Sequence, residues 1–225
     1  MCGRYSLKTP ADTLAEHFQL TKPPPLPPRY NIAPSQPIAI VRIHAPQENR
    51  ECVLVRWGLI PSWANDPSLG NKMINARAET VAEKPAFRGP LARSRCLIPA
   101  DGYYEWQREG RMGQRKQPFY IRARDGGPFA FAGLWESWAG PDGKIVESCA
   151  LLTTEPNESL KAIHDRMPVI LAPTDYDVWL DPAVRQAQLL QPLFRPYPSE
   201  EMTACPVSLR VNDPSHDDAA CIEPL

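Results

Sequence analysis

Position 2 is a cysteine, and that position gives it chemistry that no internal cysteine has. Once Met1 is excised, the residue carries a free α-amine and a thiol two carbons apart. Reference pKa values of about 7.7 to 8.0 for the amine and about 8.5 for the thiol leave a useful fraction of each nucleophilic near neutrality. In one available reaction the thiolate attacks an amide or ester carbonyl with the amine as its base, which is hydrolysis or acyl transfer. In the other, the amine condenses with an aldehyde to an imine, and the thiol closes onto the imine carbon to give a five-membered thiazolidine. That closure is intramolecular and gains an effective-molarity advantage. A cysteine at position 2 is more often an ordinary second residue than a nucleophile, so MCG alone selects neither reaction.

Other groups suit proton or anion handling. Glu105 in GYYEW follows aromatic and glycine positions on a predicted strand, where partial desolvation would raise its pKa and suit proton transfer. The competing reading is a strand glutamate facing solvent. His164 in IHDRMP falls at the end of a predicted short helix, either as an acid–base group or as a cap on the helix C-terminus, which the helix dipole favours. Asn75 and Arg77 alternate in INARAET, so an extended backbone aims both at one face and Ile74 and Ala76 at the other.

The elements that must position these groups are mostly strands. Twenty-seven prolines against 12 glycines fall between short apolar runs, a pattern of turns and strand ends that helical bundles do not tolerate. The runs PIAIVRI, CVLVRWGLI, RCLIPADGYYEW, QPFYIRAR, PFAFAGLWESW, ESCALLTT and MPVILA are β-branched or aromatic-rich and read as strands. The clearest helix is predicted to start with Thr9 as N-cap, Pro10 at the first helical position and Asp12 three residues on, with Leu14 and Phe18 one turn apart. Short helices are expected through PNESLKAIH after Thr154 and through TDYDVWL after Pro173. The segment KPPPLPPRYNIAPSQP reads as an extended connection, with a polyproline ligand as the alternative.

Composition bounds the rest. A chain of 225 residues favours one domain, expected over 1–212, with 213–225 a disordered acidic tail. Hydrophobic residues at 43% and charged residues at 23% are ordinary for a soluble globular protein, and no apolar run approaches a membrane span. The start MCGRYSLKTPADTL is no secretory signal, so the expected setting is cytosolic or nuclear. Cysteines at 2, 52, 96, 149, 205 and 221 form no Cys-x-x-Cys pair, which argues against disulfides and a zinc site; Cys52, Cys96, Cys149 and Cys205 are expected to be buried as small hydrophobes. A net charge of −1 does not mark a general nucleic-acid binder, so any DNA contact must be local.

The strings MCGRYSL, YNIAPSQ from Tyr30, INARAET from Ile74, PADGYYEW from Pro99 and IHDRMPVIL from Ile163 occur in that order and together closely resemble the SRAP family, the SOS response-associated peptidase or abasic-site processing proteins. The resemblance covers roughly Cys2 to Asn212. It implies an α+β, mostly β fold: a single compact domain with a strand-rich, barrel-like core, a few short helices and a positively charged DNA groove. It implies a DNA–protein crosslinking enzyme whose Cys2, freed of Met1 by self-cleavage or otherwise, traps the aldehyde of an abasic site in single-stranded DNA as a thiazolidine. Lyase-type strand cleavage by β-elimination follows if the thiol fails to close the ring.

Residue by residue, the resemblance assigns catalysis to Cys2, Glu105 and His164 and places Asn75 at the abasic sugar. Arg77, Arg4 and Arg166 match phosphate ligands, suited by the bidentate geometry of arginine; each could instead pair with an acid such as Asp165 or Glu79. Pro34 and Trp63 sit where the family places apolar groups against bases beside the lesion. The family often carries a second aromatic beside that tryptophan, where this chain has Ala64. Trp57, Trp106, Trp135, Trp138 and Trp179 read as core or rim packing, and VSLRVN, with Ser208 and Asn212 in structural roles, resembles the family's final strand. No metal or organic cofactor is required, a monomer is expected, and the location is cytoplasmic and nucleoid-associated in a bacterium or nuclear in a eukaryote. The enzyme-class rival is an N-terminal cysteine amidotransferase, whose oxyanion hole needs an Asn-Gly pair that this chain lacks. The non-enzymatic rival is a module that binds single-stranded DNA without covalent chemistry.

Overall fold

Short β-branched and aromatic runs between prolines satisfy their backbone by pairing with one another. In the computed structural model, which describes residues 2–22, 26–43, 49–107 and 116–225, they do so in two sheets. The elements in chain order are β1 (Tyr5–Leu7), α1 (Ala11–Phe18), β2 (Arg29–Ile32), β3 (Pro37–Ile43), β4 (Arg50–Trp57), β5 (Asn75–Arg77), α2 (Pro85–Arg93), β6 (Arg95–Ala100), β7 (Gly102–Trp106), β8 (Pro118–Ala123), β9 (Phe129–Ala139), β10 (Ile145–Thr154), β11 (Met167–Pro168), β12 (Ile170–Leu171), α3 (Tyr176–Leu180), α4 (Ala187–Leu190) and β13 (Met202–Pro206).

Pairing runs β10-β4-β3-β6-β9 and returns to β10 through a long antiparallel β9–β10 ladder, so five strands close into a barrel. Closure removes the exposed edges that a flat sheet would leave. The other sheet has the order β13-β8-β7-β1-β2. It packs on the barrel through aromatic edges: Tyr5 meets Trp57 at 5.5 Å and Phe131 at 5.9 Å between ring centroids, and Tyr103 meets Phe131 at 5.9 Å. Mostly β architecture with few short helices is therefore what the proline-punctuated runs encode.

Several local expectations need correction. The first helix starts at Ala11 with Pro10 as N-cap and no side-chain capping bond, because Thr9 is drawn away: its backbone N–H and its hydroxyl both donate to the Asp101 carboxylate. Leu14 and Phe18 are buried as the helical spacing required. No helix forms through PNESLKAIH. Asn157 caps a run of turns there, its Oδ1 accepting from Leu160 N at 3.2 Å and from Ser159 Oγ at 2.9 Å, so His164 ends no helix and the dipole reading of it lapses. Residues 23–25 of the proline-rich segment lie outside the described residues; beyond them Leu26 packs on the core and the chain runs into β2.

The C-terminal stretch departs most from expectation. VSLRVN is not the final strand, which is β13; Leu209–Asn212 is a 3-10 turn capped by Ser208 Oγ on Arg210 N. Residues 213–225 are packed rather than disordered. Cys221 is fully buried, Leu225 N donates to Pro206 O at 3.0 Å, and the Asp217 carboxylate accepts from Arg29 Nε and from the backbone N–H of Tyr30 and Asn31. An acidic composition suggests a solvated tail, but here an acid covers the outer edge of β2, which would otherwise present open donors.

Close backbone contact fixes the segment that carries Asn75. Gly58 has φ +125°, and a Cβ at Gly70 would lie 2.6 Å from the Gly58 carbonyl oxygen. Beyond this contact Trp57 Nε1 donates to Ile74 O at 3.0 Å, and β5 pairs in parallel with β10. Overpacking of this kind costs about 1–3 kcal/mol. Gly70→Ala should therefore lower the melting temperature by roughly 2–12 °C, measured by calorimetry, since about 1 kcal/mol corresponds to ~2–4 °C at this chain length.

Candidate active site

Three segments distant in sequence, β5, β7 and the turns before β11, gather at Cys2. Strand β1 begins three residues later and is fixed by the register Tyr5↔Tyr103 and by Tyr104 N donating to Arg4 O at 3.0 Å. From β5, Asn75 Nδ2 donates to the Cys2 carbonyl at 2.8 Å, which holds the backbone of the nucleophile. Glu105 and His164 come from β7 and from the turns before β11, and Glu105 Oε2 lies 3.6 Å from His164 Nε2. Cys2 is 0% exposed, Glu105 3% and His164 9%, so the cluster is almost dry. Burial pushes the Cys2 thiol well above its ordinary pKa, and the charge of Glu105 pushes in the same direction.

The imidazole is held from both sides. Nδ1 of His164 faces both the N–H of Arg166 at 3.0 Å and its carbonyl oxygen at 3.2 Å, while Nε2 faces Glu105. Asp165 Oδ1 is 3.1 Å from the same Nδ1 and stands ready to pair with an imidazolium. Glu105 and His164 thus form a carboxylate–imidazole pair beside a thiol and the start of the chain, an arrangement suited to moving protons at a reacting centre.

The arginines differ among themselves. Arg77, two residues after Asn75 on β5, is exposed, and its guanidinium makes no hydrogen bond or ion pair among the described residues. Arg166 forks onto Glu79 at 2.7 and 2.9 Å and donates to Thr153 O at 2.6 Å; this pairing holds the Glu79 carboxyl below its usual range. The acid pairing weighed for it from sequence is thus the one adopted in the free protein. Arg4 donates to Asn31 Oδ1 at 2.9 Å, Val211 O at 2.6 Å and Asn212 O at 3.3 Å.

Trp63 is 58% exposed and shares a cavity of about 380 Å³ with Asn75, Arg77, Lys84 and Phe87. The sequence reading missed Lys84 and Phe87. Pro85 at the first position of α2 was the signal, since proline there marks a helix start and fixes what flanks it. Ala64, where the family often carries a second aromatic, is buried, and its carbonyl accepts from Trp138 Nε1 at 2.6 Å. Pro34 is not joined to the cluster by any of these contacts. It lies on a turn made rigid by Ser35, which takes φ +71° and whose backbone N donates to Trp57 O at 2.8 Å.

The six cysteines are free; Cys52, Cys96 and Cys149 are buried as expected, while Cys205 is only partly so. Trp57, Trp138 and Trp179 lie in the core, and Trp106 and Trp135 at its margin. Among the described residues no group of three or more His, Cys, Asp or Glu could hold a metal ion, and no helix is long and apolar enough to cross a membrane.

A mostly β domain that gathers an N-terminal cysteine, an asparagine, a glutamate and a histidine defines a recognisable class. The chain belongs to the SOS response-associated peptidase (SRAP) family, whose model matches residues 1–214. It is 45% identical over 99% of both chains to a Bacillus subtilis protein named abasic site processing protein YoqW, and 46% identical over 99% of this chain and 98% of the other to YoaM of the same organism. The mouse abasic site processing protein HMCES is 31% identical, covering 100% of this chain and 76% of that one. Among solved structures, a Bacteroides thetaiotaomicron protein superposes with a TM-score of 0.88 at 27% identity over 100% of both chains. One from Bordetella bronchiseptica gives 0.78 at 29% over 92% of this chain and 100% of that one.

Proposed function

We propose that this protein processes abasic sites in single-stranded DNA by forming a covalent thiazolidine through Cys2 once Met1 is removed. The observation that carries this reading is the buried pairing of Glu105 with His164 beside a Cys2 whose carbonyl is held by Asn75. An abasic deoxyribose exposes an aldehyde in its ring-opened form. The α-amine of Cys2 attacks that carbon, and loss of one water gives the imine. The thiol then adds across the C=N bond: its sulfur bonds to carbon and its proton passes to nitrogen by way of the Glu105–His164 pair. Aldehyde and aminothiol thus become thiazolidine plus one water, with no oxidant, metal or organic cofactor needed.

The raised thiol pKa supports this order of events. A thiol kept protonated at neutral pH is a poor first nucleophile, so the amine acts first and the thiol follows with a base at hand. The same environment disfavours the amide-attacking reading, which needs a ready thiolate. Without ring closure, the imine leads to strand cleavage by β-elimination. Capping the aldehyde with methoxyamine before mixing should abolish the adduct; an undiminished adduct would point to another electrophile.

The track for the strand runs over exposed Arg77, Lys84 and Trp63 and half-buried Phe87, which supply phosphate charge and stacking faces beside Asn75. Each lost phosphate contact flattens the log–log salt dependence by about 0.7 for a single strand. Arg77→Ala should weaken binding and flatten the slope by about that amount in a fluorescence-anisotropy titration; weaker binding at an unchanged slope would remove Arg77 from the phosphate track.

A further inference from the structure

The C-terminal segment reaches the chain close to Cys2 and Glu105: Arg4, the neighbouring strand β2, and β7. Asn31, fully buried on β2, donates its Nδ2 hydrogens to three backbone carbonyls, Val211 at 3.2 Å, Asp213 at 3.0 Å and His216 at 2.7 Å, while its Oδ1 accepts from Arg4. The Arg4 guanidinium spans from Asn31 to the carbonyls of Val211 and Asn212, and Asp217 takes the β2 backbone from the other side. On β7, Trp106 Nε1 donates to Asn212 Oδ1 at 2.7 Å, immediately after Glu105. The carbonyls are bound by Asn31 and Arg4 and the Asn212 side chain by Trp106, so the segment ties β2, β7 and the chain entering β1.

We propose that residues 211–217 with Asn31 and Arg4 form a latch that sets the N-terminal nucleophile against Glu105, which makes Asp217, Asn31 and Arg4 positioning residues for the crosslinking reaction. Arg4 is two residues from Cys2, and its own carbonyl accepts from both the Cys2 thiol at 3.8 Å and Tyr104 N. A guanidinium fixed by three acceptors therefore fixes the path of the chain leaving Cys2. Misplacing reacting atoms by about 1 Å can cost on the order of a hundredfold in rate, so the latch acts on the rate of bond formation and not on affinity for DNA.

This inference rests on the covalent reading above, and wild type and Cys2→Ala are run beside the test variants so that failure of that reading shows separately. The experiment is single-turnover crosslinking to an abasic oligonucleotide with Asp217→Asn and Asn31→Ser, below the melting temperature of each variant. A parallel measurement is the salt dependence of binding to an oligonucleotide carrying a non-reactive tetrahydrofuran abasic mimic. Both variants should crosslink tenfold or more slowly while binding and salt slope stay as in wild type. Neither residue has a phosphate contact to lose, and a serine cannot reach the three carbonyls that Asn31 Nδ2 bonds. A merely destabilised but folded protein would react at the wild-type rate, and that result overturns the latch. A rate loss accompanied by a flattened salt slope would overturn it too, by assigning the segment to DNA contact.

Discussion

Cys2→Ala, with Met1 removed, is expected to retain imine formation and lose the stable crosslink. Alanine leaves the α-amine in place, and Asn75 bonds the backbone carbonyl and not the side chain, so the amine stays where the aldehyde meets it. Borohydride should then reduce the imine and give a trapped adduct on a denaturing gel, whereas without reductant no adduct should survive. The missing thiol acts at an effective concentration of about 10⁵–10⁸ M in well-oriented intramolecular closures, which no added thiol can match. The loss of stable product should therefore exceed roughly a thousandfold. A reductant-independent adduct from this variant would place the bond at another residue.

Glu105→Gln tests the proton chemistry, and its two consequences have opposite signs. Removing a positioned acid–base group costs on the order of 10²–10⁴ in rate, so imine formation should slow by that factor in single-turnover trapping. The carboxylate also opposes thiolate formation at Cys2, second to burial in raising the thiol. Its removal should lower the thiol pKa while burial keeps it above the ordinary value. Ring closure in the variant should then set in at lower pH than in wild type, read from the fraction of reductant-independent product across a pH series. A shift of that profile to higher pH, or imine formation at the wild-type rate, would take Glu105 out of the mechanism.

The strands were legible because their signal is local: PIAIVRI is β3 residue for residue, and proline marks its start. β1, β2 and β13 escaped because three to five residues carry too little periodicity, and because their pairing is set by distant partners such as Tyr103 and the run Phe119–Ala123. The first helix was right in its buried face and wrong at its cap, since Thr9 answers to Asp101, ninety-two residues away. The acidic C-terminal stretch misled for a similar reason: composition predicts solvation, and nothing local announces that Asp217 will meet Arg29 and the β2 backbone.

The site was legible in a different way. Cys2 announces itself by position, and Asn75 and Arg77 by alternation, and those residues lie where the pattern put them. Glu105 and His164 were found through the motifs around them, since neither burial nor the 3.6 Å approach of their side chains can be read from spacing. Lys84 and Phe87, at the start of α2, share a cavity with Asn75 and Arg77, a juxtaposition that spacing along the chain does not announce. Arg4 and Arg166 show the limit of reading a cation by its motif, for each is already bound to protein acceptors in the free state.

The most direct test of the central claim is a denaturing gel of the Met1-processed protein after incubation, without reductant, with a single-stranded oligonucleotide bearing one abasic site, beside the intact oligonucleotide. A covalent band with the abasic strand alone is the predicted result. No band from protein whose N-terminal cysteine has been verified by mass spectrometry would contradict the account and return the choice to non-covalent binding or acyl transfer.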